Sequence, residues 1–317
     1  MKTKRMTSIA LVVALLLGLM PLCFAYADEW PSRPIEFIVP AAPGGGTDVT
    51  VRAIAPFLEK YLGCSIVVNN ISGSGGVEAY TNMGTADPDG YTMGLIAMPA
   101  VPLAYAVKGT LKVDPMTDYV HLGSVVFNKS TITVAANSDF NTLDDLISFA
   151  KEHPGEITVA TTGATSLKAL VASSLASQTG IELTQIGYDG GSECITQLLG
   201  GHIYMSPLTV SEGKSYVEAG QLKVLAVAGE ERIANYPDVP TFAELGLDLA
   251  FSGSTHAIVM PKGTPDEIAG KVREAIAAVC ASEEFVNYCS ESGIDLNYND
   301  YEAVMTQLQA QIDLLKN

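Results

Sequence analysis

Short β-branched runs alternate with longer stretches of helical spacing along most of this chain. The segment Ile35-Glu36-Phe37-Ile38-Val39, bounded by Pro34 and Pro40, predicts a buried strand. From Thr50 to Tyr61 the apolar residues Val51, Ile54, Phe57 and Leu58 recur on one side, with Leu62 continuing that face, which predicts a helix. Strands follow at 65–69 and 91–96. The pattern then repeats as strand 131–135, helix 142–152, strand 157–160, helix 166–178, strand 183–186, helix 193–199 and strand 222–227. Two helices, 265–282 and 301–315, close the chain and are expected to be joined by the short connection Ser292-Gly293-Ile294-Asp295. Strands separated by helices of this length predict an α/β fold with mixed, mostly parallel sheets and helices on both faces. No repeat and no low-complexity linker interrupts the series.

Three strand ends share one character. The first strand runs into Pro40-Ala41-Ala42-Pro43-Gly44-Gly45-Gly46-Thr47-Asp48, with a helix directly after it. Glycines let a ligand approach the main chain, and a helix start offers unpaired N–H groups with about half a positive charge. Strand, glycine loop and helix start together suit a carboxylate or a phosphate. A plain tight turn has the same local appearance. A second loop, Asn70-Ile71-Ser72-Gly73-Ser74-Gly75-Gly76, and a third, Thr161-Thr162-Gly163-Ala164-Thr165-Ser166, repeat the arrangement. Three such loops at strand carboxyl ends define a cleft. They offer hydroxyls and amides and no charged side chain, which points to a small carboxylate held by main-chain donors.

Nucleotide chemistry does not fit these loops. There is no GxxxxGK[ST], and the sixth position counted from Gly44 is Val49, or Glu78 counted from Gly73, so GxGxxG fails as well. Charge excludes a generic nucleic-acid binder: 18 basic residues face 35 acidic ones, net −17, and no basic run follows the first five residues. The hydrolase alternative lacks support in the residues, since no GxSxG elbow or HExxH pair is present and His121, His153, His202 and His256 are scattered.

The N-terminus reads as an export signal. Lys2, Lys4 and Arg5 precede an apolar stretch from Ile9 to Met20, and Ala25-Tyr26-Ala27 supplies small residues for cleavage before Asp28. The short apolar stretch, ended by Pro21, argues against a retained anchor. Bulky Leu22 before Cys23 argues against lipidation. Cys64, Cys194, Cys280 and Cys289 remain in the exported chain. None forms a CxxC pair, so neither zinc nor redox chemistry is indicated. Cys280 and Cys289 could pair in an oxidising compartment or stay as buried thiols.

The ordered motifs resemble the substrate-binding receptors of tripartite tricarboxylate transporters, the Bug/TctC family. Trp30-Pro31-Ser32-Arg33-Pro34-Ile35 is similar to that family's mature N-terminus. Pro43–Asp48 and Ser72–Gly76 resemble its two first-domain ligand loops, and Pro88-Asp89-Gly90-Tyr91-Thr92 its PDGYT signature. Leu198-Leu199-Gly200-Gly201-His202, Ala219-Gly220, Pro237–Gly246 and Pro261-Lys262-Gly263-Thr264-Pro265 follow in the family's order, so the resemblance spans nearly the whole exported chain.

The resemblance implies a two-domain type II periplasmic-binding-protein (Venus flytrap) fold that shuts on a carboxylated small molecule. It places the signal at 1–27, a discontinuous first domain at 28–128 plus 251–317, and a second domain at 129–250. Carried over by residue, it implies ligand contacts at Gly44, Gly45, Thr47, Asp48, Ser74 and Gly75, and in the second domain at Thr162, Gly163, Ser166 and Tyr188. It implies a periplasmic monomer with no enzymatic role, no metal and no cofactor. Its partners would be a di- or tricarboxylate or related organic acid and a membrane permease. A sensor-type binding protein or an exported hydrolase using the same cleft is the alternative. The chain departs from the family pattern at Thr165-Ser166-Leu167-Lys168-Ala169, which lacks a histidine, at Tyr204–Thr209, which lacks an acidic residue, and at Thr255-His256, where relatives carry aromatics. His256 is a candidate for the cleft or the hinge, and Asp189 for a ligand amino group.

Overall fold

The computed structural model describes residues 30–249 and 252–316. The export signal read over 1–27 and the junction placed between 250 and 251 lie outside the described residues. Among the described residues there are ten strands: β1 (Ile35–Val39), β2 (Ile66–Asn70), β3 (Thr92–Met98), β4 (Tyr119–Ala135), β5 (Thr158–Thr161), β6 (Thr184–Gly187), β7 (Met205–Thr209), β8 (Leu222–Val227), β9 (Gly253–Pro261) and β10 (Leu296–Asn299).

Two sheets share one strand. In the first, β2, β1 and β3 run parallel, β9 pairs antiparallel with β3 and β4, and β10 adds to β4. In the second, β4 lies antiparallel between β8 and β7, and β5 and β6 continue the sheet in parallel. β4 serves both because it is 17 residues long: Tyr119–Lys129 pairs β9, and Ser130–Ala135 pairs β7 and β8. The pairs flanked by crossover helices are parallel. Every pair made by β4 or β9 is antiparallel, a feature that strand–helix alternation does not carry.

Each sheet is covered by helices whose apolar stripe matches the helical period. Val51, Ile54 and Leu58 of helix Gly46–Leu62 pack with Phe37, Leu95 and Ile258 and with Val272 and Ile276 of helix Asp266–Ala281. The opposite face carries Tyr80, Met83, Ile96, Val259, Leu308 and Ile312. The second sheet has its own core of Ile132, Val134, Leu146, Val159, Val171, Leu175 and Leu225.

The C-terminal expectation needs correction. A helix, Glu283–Ser292, and strand β10 stand where a short connection was expected between the last two helices. Ser282 ends one helix and caps the next, its Oγ accepting the Phe285 N–H at 3.3 Å. Phe285 and Cys289 then fall one turn apart and bury themselves in the first core.

Among the described residues all four cysteines are free thiols, and Cys194, Cys280 and Cys289 are buried. Burial pushes the Cys280 and Cys289 thiols up to about 12, Cys280 also feeling Cys289. A thiol reagent should therefore reach half-buried Cys64 in the native protein, and the other three only after denaturation. Rapid native titration of all four would contradict this packing.

Candidate functional site

The loops that follow β1, β2, β5 and β6 face one another across a cavity of about 110 Å³. Helix entrances bring them there. The first i→i−4 bond of helix Gly46–Leu62 is Val49 N–H to Gly45 O at 2.9 Å, so the N–H groups of Thr47 and Asp48 come before any helical partner. Helices Val77–Thr85, Leu167–Thr179 and Gly191–Leu199 start at the same place. Four partial positive charges thus converge without a basic patch. The Thr47 hydroxyl lines the cavity, is buried and has no partner.

The glycines in these loops are there for backbone shape and close approach. Gly73, Ser74, Gly75 and Gly76 all have left-handed φ, and Ser74, at 51°, is the only non-glycine residue to do so among the described residues. A Cβ at Gly75 would stand 2.1 Å from Thr165 Oγ1 of the opposite loop, so the two loop sets touch here.

Of the residues expected to hold a ligand, Gly45, Thr47, Gly75, Thr162 and Ser166 line the cavity. Gly44, Asp48, Ser74, Gly163 and Tyr188 stand outside the lining. Asp48 is buried behind the first loop, where its carboxylate accepts the Gly44 N–H at 2.8 Å, Arg52 Nε at 2.9 Å and Asn70 Nδ2 at 2.9 Å. It holds the loop's shape. Gly163, at φ 108°, lets its loop come against Gly75. Tyr188 packs beside Ala160, Cys194 and Ile203. Ser166 caps its helix, its Oγ accepting the Ala169 N–H at 3.2 Å and donating to Gly163 O at 2.7 Å. Pro40, Tyr80, Ala97 and Ala100 supply an apolar floor that the glycine motifs did not announce.

The loops were expected to present no charged side chain, but Lys168 and Glu212 line the cavity, and so do the two candidates Asp189 and His256. Lys168 and Glu212 enter in the first turn of helices Leu167–Thr179 and Val210–Glu218, which turns them inward. Lys168 Nζ lies 2.7 Å from Glu212 Oε2 and 3.0 Å from Pro207 O. Glu212 Oε2 also accepts the Thr209 N–H at 2.8 Å, closing a capping box. Burial would raise the Glu212 carboxyl, but the Lys168 charge and the Lys168 and Thr209 hydrogen bonds outweigh it and hold the group below its ordinary range. Across the gap, Glu212 Oε1 accepts the Gly46 N–H at 3.0 Å, and Ser192 Oγ donates to Pro43 O at 3.0 Å.

His256 sits on β9 where the chain nears the second sheet. Its Nδ1 is 2.8 Å from Thr50 Oγ1 and 3.1 Å from Asn128 Nδ2. Burial drives the imidazole down to about 4, only partly opposed by the Glu212 charge. Because the folded value is depressed, its contribution is complete above the unfolded value near 6.5 and is lost as pH falls towards 4. Unfolding free energy should drop by about 1.4 kcal/mol per pH unit across that window. His256→Gln should flatten that slope in denaturant titrations at several pH values; an unchanged slope would remove the assignment.

Comparison with known proteins places the chain in a defined group. A family profile described as tripartite tricarboxylate transporter family receptor (TctC) matches residues 50–316. A protein from Cupriavidus necator, named UPF0065 protein in gbd 5'region, is 36% identical over 266 residues, covering 84% of this chain and 80% of that one. The solved structure of the periplasmic binding protein BugD is similar at TM-score 0.86 and 27% identity, with 90% of this chain and 96% of that one covered. R. palustris Rpa4515, solved with adipate, is similar at TM-score 0.84 and 26% identity over 90% and 96% of the two chains.

Proposed function

This chain belongs to the tripartite tricarboxylate transporter receptor family, a family of solute-binding receptors and not enzymes, and from that premise we propose that it is exported to the periplasm, closes two lobes on one small carboxylate and presents the closed form to a membrane permease. The observation that carries this is the convergence of four helix entrances on one small cavity. A carboxylate placed there meets the Thr47 N–H, the unpartnered Thr47 hydroxyl and the entrance at Leu167. The apolar floor at Tyr80, Ala97 and Ala100 suits a short carbon skeleton. The relative solved with adipate agrees with an organic acid as ligand.

In this reading Gly44, Gly45, Thr47, Asp48, Ser74 and Gly75 form the first-lobe ligand loops, and Thr162, Gly163, Ser166 and Tyr188 belong to those of the second. The lobes divide at 28–128 plus 251–317 and at 129–250, so β4 and β9 form the connection about which they move. Closure follows from a ligand that touches both loop sets and so favours the closed state by its differential affinity. No basic patch is required, because helix entrances act at contact while the chain's acidic surface is screened beyond about 8–10 Å.

A thermal-shift screen tests the proposal. At a hundred times its Kd, a ligand that binds only the folded state adds about 2.7 kcal/mol, which for a chain of this size raises Tm by roughly 4–5 °C. At least one small mono-, di- or tricarboxylate should do so and be recovered unchanged. A broad organic-acid panel without any shift or binding heat would remove the proposal.

A further inference from the structure

The buried Lys168–Glu212 pair borders the same cavity as the glycine loops. Both residues line the cavity and both are only 6% exposed. The acceptor capacity of Glu212 is divided unevenly. Oε2 takes Lys168 Nζ at 2.7 Å, the Thr209 N–H at 2.8 Å and the Thr209 hydroxyl at 3.1 Å. Among the described residues Oε1 takes only the Gly46 N–H, at 3.0 Å. A carboxylate oxygen accepts more than one hydrogen bond, so Oε1 retains acceptor capacity. Its position is marked by the glycines: a Cβ at Gly191 would fall 2.3 Å from Oε1, and one at Gly46 would fall 3.7 Å from it. The oxygen therefore stands where the first-lobe and second-lobe helix entrances meet. Lys168 spends two of its three donors on Pro207 O and Glu212, and one remains.

A ligand carboxylate at the Thr47 entrance lies next to Glu212 Oε1, which is bonded to the preceding residue's N–H. Acceptor then faces acceptor and charge faces like charge, unless the ligand carries a hydrogen between them. We propose that Glu212 makes this receptor select carboxylates with a hydrogen-bond donor on the carbon beside the carboxylate, an ammonium above a hydroxyl, over plain carboxylates of the same skeleton. The inference rests on the receptor reading above and deepens it. Glu212 is a specificity-determining residue, and Lys168 keeps its carboxylate ionised and aimed.

Calorimetry at pH 7 with three matched skeletons decides it: propionate, lactate and alanine; succinate, malate and aspartate; glutarate, 2-hydroxyglutarate and glutamate. Within the skeleton that fits best, the amino acid should bind about ten- to hundred-fold more tightly than the plain acid, the hydroxy acid falling between, as expected for a charge-assisted hydrogen bond. In Glu212→Gln that ranking should collapse, the amino acid losing affinity and the plain acid gaining it. Equal or tighter binding of the plain acid by the unsubstituted protein overturns the inference while leaving the carboxylate receptor standing. A panel that is silent throughout, extended to the broad screen above, removes the receptor reading and this inference with it. If Glu212→Gln fails to fold by circular dichroism, the ranking in the unsubstituted protein decides the matter alone.

Discussion

Lys168→Met should lower the unfolding free energy by about 3–5 kcal/mol at pH 7, the cost of leaving one member of a buried ion pair without its partner. The pair is enclosed, with side chains 8% and 3% exposed and a 2.7 Å contact. Methionine matches the lysine stem but gives Glu212 no charge. What remains for Glu212 is the Thr209 cap and the Gly46 N–H. The pH dependence identifies the cause. In the unsubstituted protein the folded Glu212 carboxyl is depressed, so its contribution is present above the ordinary value of 4.5 and is lost as pH falls through the folded value. Without Lys168 the folded value rises instead, so the deficit should shrink as acid protonates Glu212. The double variant Lys168→Met with Glu212→Leu should regain most of the loss, because an apolar pair replaces an ion pair at little cost. Denaturant unfolding of the unsubstituted protein and the two variants reads this directly. A single-variant loss under 1 kcal/mol, or no recovery in the double variant, would show that the pair is not coupled as drawn.

That pair also shows where sequence reading stops. The alternation of strands and helices was legible where local pattern decides structure: β8 occupies Leu222–Val227, the segment expected, and Thr142 caps the helix that its position announced. β7 was hidden by Pro207, which argues against a central strand. The sheet accepts it because β5 pairs β7 only at Val159–Met205, which leaves Pro207 O for Lys168. β9 was not anticipated: its apolar run 257–260 is short, and its first residues Ser254, Thr255 and His256 are polar yet buried beside the cavity. The glycine loops located the cleft because glycine demand is local. Lys168 and Glu212 lie 44 residues apart and meet only in the fold. A signal for Glu212 was nonetheless present: Thr209-Val210-Ser211-Glu212 is a capping box, and reading it as a helix start would have turned Glu212 inward.

Gly190→Ala should weaken binding of the best-fitting carboxylate about ten- to hundred-fold while leaving the unliganded stability nearly unchanged. Gly190 has φ −164°, extended backbone that alanine adopts without strain. Its added Cβ would stand 2.6 Å from the Ala42 Cβ of the first loop, inside any real contact distance. Gly75→Ala would be less clean, since φ there is 68° and strain would add to contact. Ala42 follows β1 and Gly190 follows β6, so the clash exists only when the two loop sets meet. Relieving it costs about 1–3 kcal/mol, taken from the closed state that the ligand requires. The complementary change supplies the control. With Ala42→Gly in the same chain the nearest remaining atom to the new Cβ is the Ala42 Cα position at 3.7 Å, an ordinary contact, so binding should return. Calorimetry on the single and double variants distinguishes the outcomes. Unchanged affinity in Gly190→Ala would mean that the ligand does not draw these loops together, and loss without rescue would place the effect in the second lobe's own backbone.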